Sequence, residues 1–313
     1  MTVDMRSFLQ QIKKTDDLFT VKKRVSTKYE IAAVTEKLDG SKAALFENVN
    51  RSKFRLVSNL VGSRDRFAQA IGSKKSDINQ KIVRAISSAK KPKISTTAKF
   101  FENSSNDISI LPIVTHFQNE SGPFITSSIL YARNQEKKSQ NSSIHRLMPI
   151  GKNHFSIRMV EGRDLQRTFM FAKNHGEDLP IAITIGVHPA ITIACAFQAK
   201  WGKNELEIAN SLLNNKLTLS KCPITGLLVP STAEIVMEGK ILQNKTHKEW
   251  MVEMLRTYDM PRPAPVIQIE KLYFRNNPIY HDILSGYNEA RLLMGMPIEA
   301  KLNGIMKKKF PQT

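Results

Sequence analysis

The run at 180–187, PIAITIGV, is almost uninterrupted apolar chain ending at His188-Pro189. A strand with one face in water alternates between apolar and polar residues. One covered on both faces does not, so this run requires structure packed on each side of a sheet. Pro189 stands where a helix can start, because its fixed φ and missing N–H do no harm at the first helical position. Short apolar segments recur upstream at 124–132, 143–148 and 155–160, and downstream at 216–220, 227–237 and 266–274, with polar turns between them. Helical stretches are expected at 162–174, 189–197, 204–213 and 288–294. Strands in series with interspersed helices predict an α+β, barrel-like domain rather than a doubly wound sheet.

The chain before this series has a different texture. Residues 2–14 read as an amphipathic helix, 29–34 and 43–48 as strands, and 63–71 and 77–86 as helices. The segment SSAKKPK at 87–93 is polar, basic and proline-bearing, a linker composition. At 313 residues the chain can hold two domains. The division expected is a small N-terminal α+β domain at 1–105, a second domain at 106–297, and a short basic tail at 298–313.

The formal net charge is +19. Residues 51–100 hold 13 Lys/Arg against 2 Asp/Glu, whereas residues 101–250 hold 16 against 13, so the excess lies outside the strand series. A solvated basic surface accounts for it. Attraction to nucleic acid or to a phosphorylated ligand is the sharper alternative. No aromatic-interleaved basic motif is present, so no nucleic-acid partner is expected. No apolar run reaches the length of a membrane span, and the N-terminus lacks the apolar core of a secretory signal. Cys195 and Cys222 are the only cysteines, which argues against a disulfide framework and for a reducing cytoplasm.

The sequence contains no P-loop, GxGxxG, HExxH or GxSxG motif. It carries instead an ordered set of segments: NSSIHR (141–146), EGRD (161–164), LPIAITIGVHP (179–189), NELEIANSL (204–212), SKCPITGLLVPSTAEIVMEG (220–239), KEWMVE (248–253), TYD (257–259) and NEARLLMGMP (288–297). In this order and spacing the set resembles the UbiD-type, prenylated-FMN-dependent decarboxylases. Agreement is strongest over 141–239 and extends over most of 40–297. The resemblance implies a split-β-barrel flavin-binding domain, with the flavin phosphate bridged to protein by Mn2+ or Mg2+ and by K+. It also implies a flavin prenyltransferase as cofactor supplier, homo-oligomers, and a C-terminal domain beginning where this chain has 298–313. The reaction implied is non-oxidative decarboxylation of an α,β-unsaturated acid. IHRLMPIG, and TYD followed by PVIQIEKLY, are similar to the archaeal-type branch, which points to a phosphorylated isoprenoid precursor. An aromatic acid is the other substrate class.

Carried over residue by residue, the resemblance places Asn141, Asp164 and Glu205 as metal ligands. Ser143, Ile144, His145, Arg146 and Arg163 fall on flavin-contacting positions. Arg146 would engage the substrate carboxylate, a task suited to a planar, permanently charged fork. Asp164 stands where the family has His, and an Asp there could equally cap a helix. Glu205 could equally serve the dipole of its own helix. The family's paired acids lie five apart in a segment containing Gly-Pro-Phe. Here Glu249 and Glu253 lie four apart without it, a spacing that also describes an exposed helix face. The register of TYD makes Glu253 the proton donor and Glu249 its ionised partner against Arg146. Ala290 replaces a family His, and Glu234 and Glu238 read as structural. A catalytically impaired relative that binds flavin or a partner without turnover is the second reading.

Overall fold

The computed structural model describes residues 3–197 and 199–310. The chain opens on α1 (Met5–Lys14), where the Asp4 carboxylate accepts from the Ser7 N–H at 2.8 Å and the Asp4 N–H donates to Ser7 Oγ at 3.1 Å. Two otherwise orphaned donors are thereby satisfied. Met5, Phe8, Leu9 and Ile12 recur at helical spacing and bury one face. β1 (Leu18–Val21), α2 (Glu30–Lys37), β2 (Ala43–Phe46), β3 (Arg55–Ser58), α3 (Arg64–Ala70) and α4 (Ile78–Ser87) follow. Residues 29–34, expected as a strand, instead open α2. Ile31, Ala32 and Thr35 are buried at helical spacing, a period that a six-residue window of β-branched and small residues does not separate from alternation.

After α4 come β4 (Lys93–Ile94), β5 (Asn103–Ser105), β6 (Ile125–Asn134), β7 (Ser139–Pro149), β8 (His154–Ile157), α5 (Asp164–Asn174), β9 (Leu179–Ile185), α6 (Pro189–Cys195) and α7 (Glu205–Leu212). β10 (Thr218–Lys221), β11 (Leu228–Pro230), β12 (Ile235–Glu249), β13 (Arg262–Phe274), β14 (Ile279–Asp282) and α8 (Asn288–Lys309) complete the chain. Six strands in the order β12-β9-β6-β7-β8-β13 close on themselves through β12–β13, with every neighbouring pair antiparallel. Closure leaves the barrel without an unpaired edge, and β5 adds outside it on β13. The apolar run of β9 is central to this arrangement, paired to β6 on one side and β12 on the other. His188 caps α6, its Nδ1 accepting from the Ala190 N–H at 3.2 Å, with Pro189 in the first turn.

The segment 227–237, expected as one strand, is two. Pro230 ends β11, and the turn closed by the Ala233 N–H on the Pro230 carbonyl at 3.1 Å separates it from β12. Glu234 and Glu238 are buried and structural. Glu234 takes Arg6 Nε at 2.7 Å, Arg275 Nη1 at 3.1 Å and the Ile279 N–H at 3.1 Å, locking α1 and β14 to the barrel. Glu238 takes the Thr225 N–H at 2.8 Å. Gly239 lies at a bulge in β12, where a Cβ would come within 2.0 Å of the Gln268 carbonyl oxygen. Gly239→Ala is therefore expected to destabilise the barrel by about 3 kcal/mol, near the top of the range for overpacking. A denaturant titration against wild type measures it.

The expected boundary near 87–105 divides the sequence but not the hydrogen-bonded network. The N-terminal sheet has the order β1-β2-β3-β14, so its fourth strand comes from beyond the barrel, and β4 pairs with β10. The expected short helix and basic tail are one helix. α8 continues through Pro297, with Leu293, Met296 and Ala300 buried beneath it. Residues 311–313 lie outside the described residues. Among the described residues no helix is long and apolar enough to cross a membrane.

Candidate active site

β7 carries most of the candidate residues along one strand. At its start the Asn141 carboxamide donates through Nδ2 to Glu205 Oε1 at 3.3 Å, and the Ser142 N–H donates to Glu205 Oε2 at 2.8 Å. Glu205 is the first residue of α7, which is capped by Asn204 and not by Glu205 itself. Burial, with the charge of Asp164 adding to it, pushes the Glu205 carboxyl up to about 8 against the hydrogen bonds it accepts. Asp164 is the first residue of α5, half-buried, and raised by burial despite Arg167 and Arg163. It does not cap its helix: the N-cap position belongs to Arg163, which makes no side-chain capping bond and is exposed. Among the described residues no three His, Cys, Asp or Glu side chains assemble into a metal-holding group. The set gathered here is two carboxyls and one carboxamide.

Midway along β7, His145 is held neutral, burial pushing its imidazole down to about 4. Its Nδ1 lies 3.1 Å from the Arg158 carbonyl oxygen, which can only accept, so Nδ1 carries the proton. Nε2 is then an acceptor for the Ser143 hydroxyl at 2.9 Å. That hydroxyl has one proton, and Asn141 Oδ1, at 3.2 Å from it, is left without one. A carboxamide oxygen with no donor committed to it, next to the Glu205 carboxyl and within the electrostatic reach of Asp164, is the hard-donor chemistry that Mg2+ or Mn2+ prefers. The residues present fit such an ion.

Toward the far end of β7, Arg146 lies between two acids. Its Nε donates to Glu249 Oε1 at 3.1 Å and its Nη2 to Asp259 Oδ2 at 3.2 Å, with the guanidinium 5.9 Å from the Phe124 ring centroid. Glu249 ends β12 and is buried, and its Oε2 has no hydrogen-bond partner among the described residues. Burial raises its carboxyl above the ordinary range, against Arg146 and Arg158. Arg158 Nε stands 3.8 Å from Asp259 Oδ2. Glu253 is placed elsewhere, exposed in the turn closed by its own N–H on the Thr257 carbonyl at 2.8 Å. Asp259 was singled out in the sequence only as part of the TYD marker, and the structure makes it the second acid on Arg146. Ile144, also on β7, packs against the larger apolar core.

The description of the 3-octaprenyl-4-hydroxybenzoate carboxy-lyase Rift-related domain, UbiD, matches residues 88–288, and that of the family's N-terminal domain matches residues 9–86. The chain belongs to the UbiD family of carboxy-lyases. It is 32% identical over 308 residues to the anhydromevalonate phosphate decarboxylase of Methanothermobacter thermautotrophicus, covering 98% of this chain and 72% of that one. It is 34% identical over 300 residues to the enzyme of the same name from Methanosarcina mazei, covering 95% and 69%. The fold matches an evolved dimeric form of the UbiD-class enzyme HmfF from Pelotomaculum thermopropionicum, in complex with prFMN, at a TM-score of 0.96 and 34% identity, covering 99% of this chain and 74% of that one. The expected α+β architecture with a flavin-family barrel is borne out, and this UbiD chain is a decarboxylase homologue by sequence and by fold.

Proposed function

We propose that the protein removes CO2 from an α,β-unsaturated acid of the phosphorylated isoprenoid-precursor class, anhydromevalonate phosphate being the first candidate, with prenylated FMN as cofactor. The observation that carries this reading is Arg146 held between the buried Glu249 and Asp259 at one end of β7, while Asn141, Glu205 and Asp164 gather near the other. Asn141, Asp164 and Glu205 would hold a divalent ion for the flavin phosphate, with K+ nearby. Ser143, Ile144, His145, Arg146 and Arg163 would border the flavin. Prenylated FMN, when bound, supplies the electron sink that cleavage of the carboxylate bond requires.

The protein's part is orientation and proton handling. Arg146 offers a fixed fork to the substrate carboxylate. That carboxylate would be a third negative group beside Glu249 and Asp259, so one acid must enter the complex neutral. Glu249 is the group suited to this, because it is buried, raised, and has Oε2 free to carry the proton and deliver it to the product carbon. The names of the relatives, anhydromevalonate phosphate decarboxylases, support a phosphorylated acid. A flavin prenyltransferase would supply the cofactor in a reducing cytoplasm, where the buried thiols of Cys195 and Cys222 stay free.

A second reading, flavin binding without turnover, is favoured by the exposure of Glu253, which leaves one buried glutamate beside Arg146. Co-expression with a flavin prenyltransferase, followed by assay of CO2 release, separates the two. Release from anhydromevalonate phosphate and not from 4-hydroxybenzoate is expected. A flavin-loaded protein silent on both would overturn the proposal in favour of the second reading.

A further inference from the structure

The segment bearing Glu249 is held from outside the barrel by the loop 116–121 and by Ser285, whose Oγ donates to the Val252 carbonyl at 2.9 Å. The Ser121 N–H donates to the Trp250 carbonyl at 3.1 Å, and the Trp250 N–H donates to Ser121 Oγ at 3.1 Å. Trp250 Nε1 donates to the Asn119 carbonyl at 2.8 Å. The Glu120 carboxylate, its side chain fully buried, accepts the Val252 N–H on Oε1 at 3.2 Å and the Phe117 N–H on Oε2 at 3.2 Å. Between Trp250 and Val252, Met251 packs on Phe124 and Met148, and Phe124 lies beneath Arg146. The loop thus fixes the first and third residues after Glu249, and Met251 between them packs on the ring beneath Arg146.

A second buried pair lies behind Glu120. His116 Nε2 lies 3.0 Å from each oxygen of Asp282 on β14, and its Nδ1 faces Glu120 Oε2 at 4.0 Å. Thr126 Oγ1 also donates to Asp282 Oδ1, at 3.3 Å. All three ionisable side chains are fully buried. His116 is therefore held through Nε2 by Asp282, whereas its Nδ1 has no hydrogen-bond partner among the described residues and meets Glu120 only at ion-pair range. The direct hold of Glu120 on the acid segment is its hydrogen bond from the Val252 N–H. Among the described residues, none of Asp282, His116 and Glu120 contacts Arg146, Glu249 or Asp259 by a side-chain hydrogen bond.

We propose that Glu120, which accepts from both the Phe117 and the Val252 N–H, is a positioning residue for Glu249. It sets the carboxyl against Arg146 through the backbone of Trp250–Val252. The inference rests on the decarboxylase reading of the same site. A displacement of the acid by an ångström would slow proton delivery while leaving carboxylate binding by Arg146 nearly intact.

The test uses the full chain loaded with cofactor, in a Trp201→Phe background so that Trp250 reports alone. Glu120→Ala is expected to speed amide exchange in the peptide containing Val252 by about tenfold, as one buried hydrogen bond is lost, and to shift Trp250 emission. It should lower kcat by about 10- to 100-fold with KM changed little. Glu120→Gln keeps an acceptor for the Val252 N–H but loses the one for Phe117, so it should recover most of the exchange protection and part of kcat. It also keeps the proposal testable if the alanine variant does not fold. Unchanged exchange and emission in both variants would overturn it, as would a loss of kcat that follows the thermal midpoint alone. If wild type releases no CO2, the decarboxylase reading fails, and exchange and emission still decide whether Glu120 holds the segment.

Discussion

Glu249→Gln is expected to lower CO2 release by about 10²–10⁴-fold, the usual contribution of a positioned general acid, with flavin content unchanged. The carboxamide keeps the shape of the side chain and can still accept from Arg146, so the change removes a transferable proton and little else. Glu253→Gln is the matched control. Its side chain is exposed, and a change of less than about twofold is expected there, within the range of surface substitutions. The pH profile follows from the direction of the shift. Burial raises the Glu249 carboxyl, so the proton is retained to higher pH than on an ordinary glutamate, and activity should fall on the alkaline side as that proton is lost. Arg146→Ala should act differently. It removes the fork for the substrate carboxylate and raises KM, and it frees Glu249 from the charge that opposes its protonation. If Glu253→Gln is the variant that falls and Glu249→Gln is not, the turn at 253–257 must swing over Arg146 during turnover and the assignment is wrong.

How much of this was legible in the sequence depends on the range of the interaction. The apolar run of β9, the proline at the start of α6 and the cap of α1 are local signals, and each element forms where its residues place it. Local reading fails where two periods fit one short window, as at α2, and where a proline lies inside a helix that packing sustains, as in α8. The site is long-range. Arg146 and Glu249 are 103 residues apart, and His116 and Asp282 are 166 apart. No periodicity connects such pairs. Family resemblance proposed Arg146, Asn141, Glu205 and the pair Glu249 and Glu253 as candidates. It did not supply the side of the β12–β13 connection on which each acid lies. Glu249 ends a strand and points inward, whereas Glu253, four residues on, belongs to a tight turn in solvent. The register taken from Thr257-Tyr258-Asp259 pointed to Glu253, which lies exposed, while Asp259 of the marker itself is an acid that meets Arg146.

The second large effect is expected at the proposed divalent-ion site and is readable without substrate. With no cation bound, burial and the neighbouring Asp164 charge push Glu205 up to about 8, so near neutrality this carboxyl is mostly protonated. An ion can be ligated only by the ionised form, so uptake must displace a proton. Apparent Mn2+ affinity should therefore rise by up to about tenfold per pH unit as pH increases toward 8 and level off above it. Calorimetry in buffers of different ionisation enthalpy should find up to about one proton released per ion near pH 6.5. Stability has the opposite sign in the ion-free protein. A carboxyl raised in the folded state contributes stability present below its unfolded value of 4.5 and lost as pH rises through about 8, a slope of up to about 1.4 kcal/mol per pH unit from this group. Saturating Mn2+ should reverse that loss, because the cation stabilises the ionised form. Asn141→Ala should weaken uptake by removing the carboxamide oxygen that the Ser143–His145 pair leaves without a hydrogen-bond donor, and Glu205→Gln should abolish both the proton release and the pH slope. Manganese binding independent of pH between 5.5 and 8, or equal in wild type and Glu205→Gln, would place the ion elsewhere.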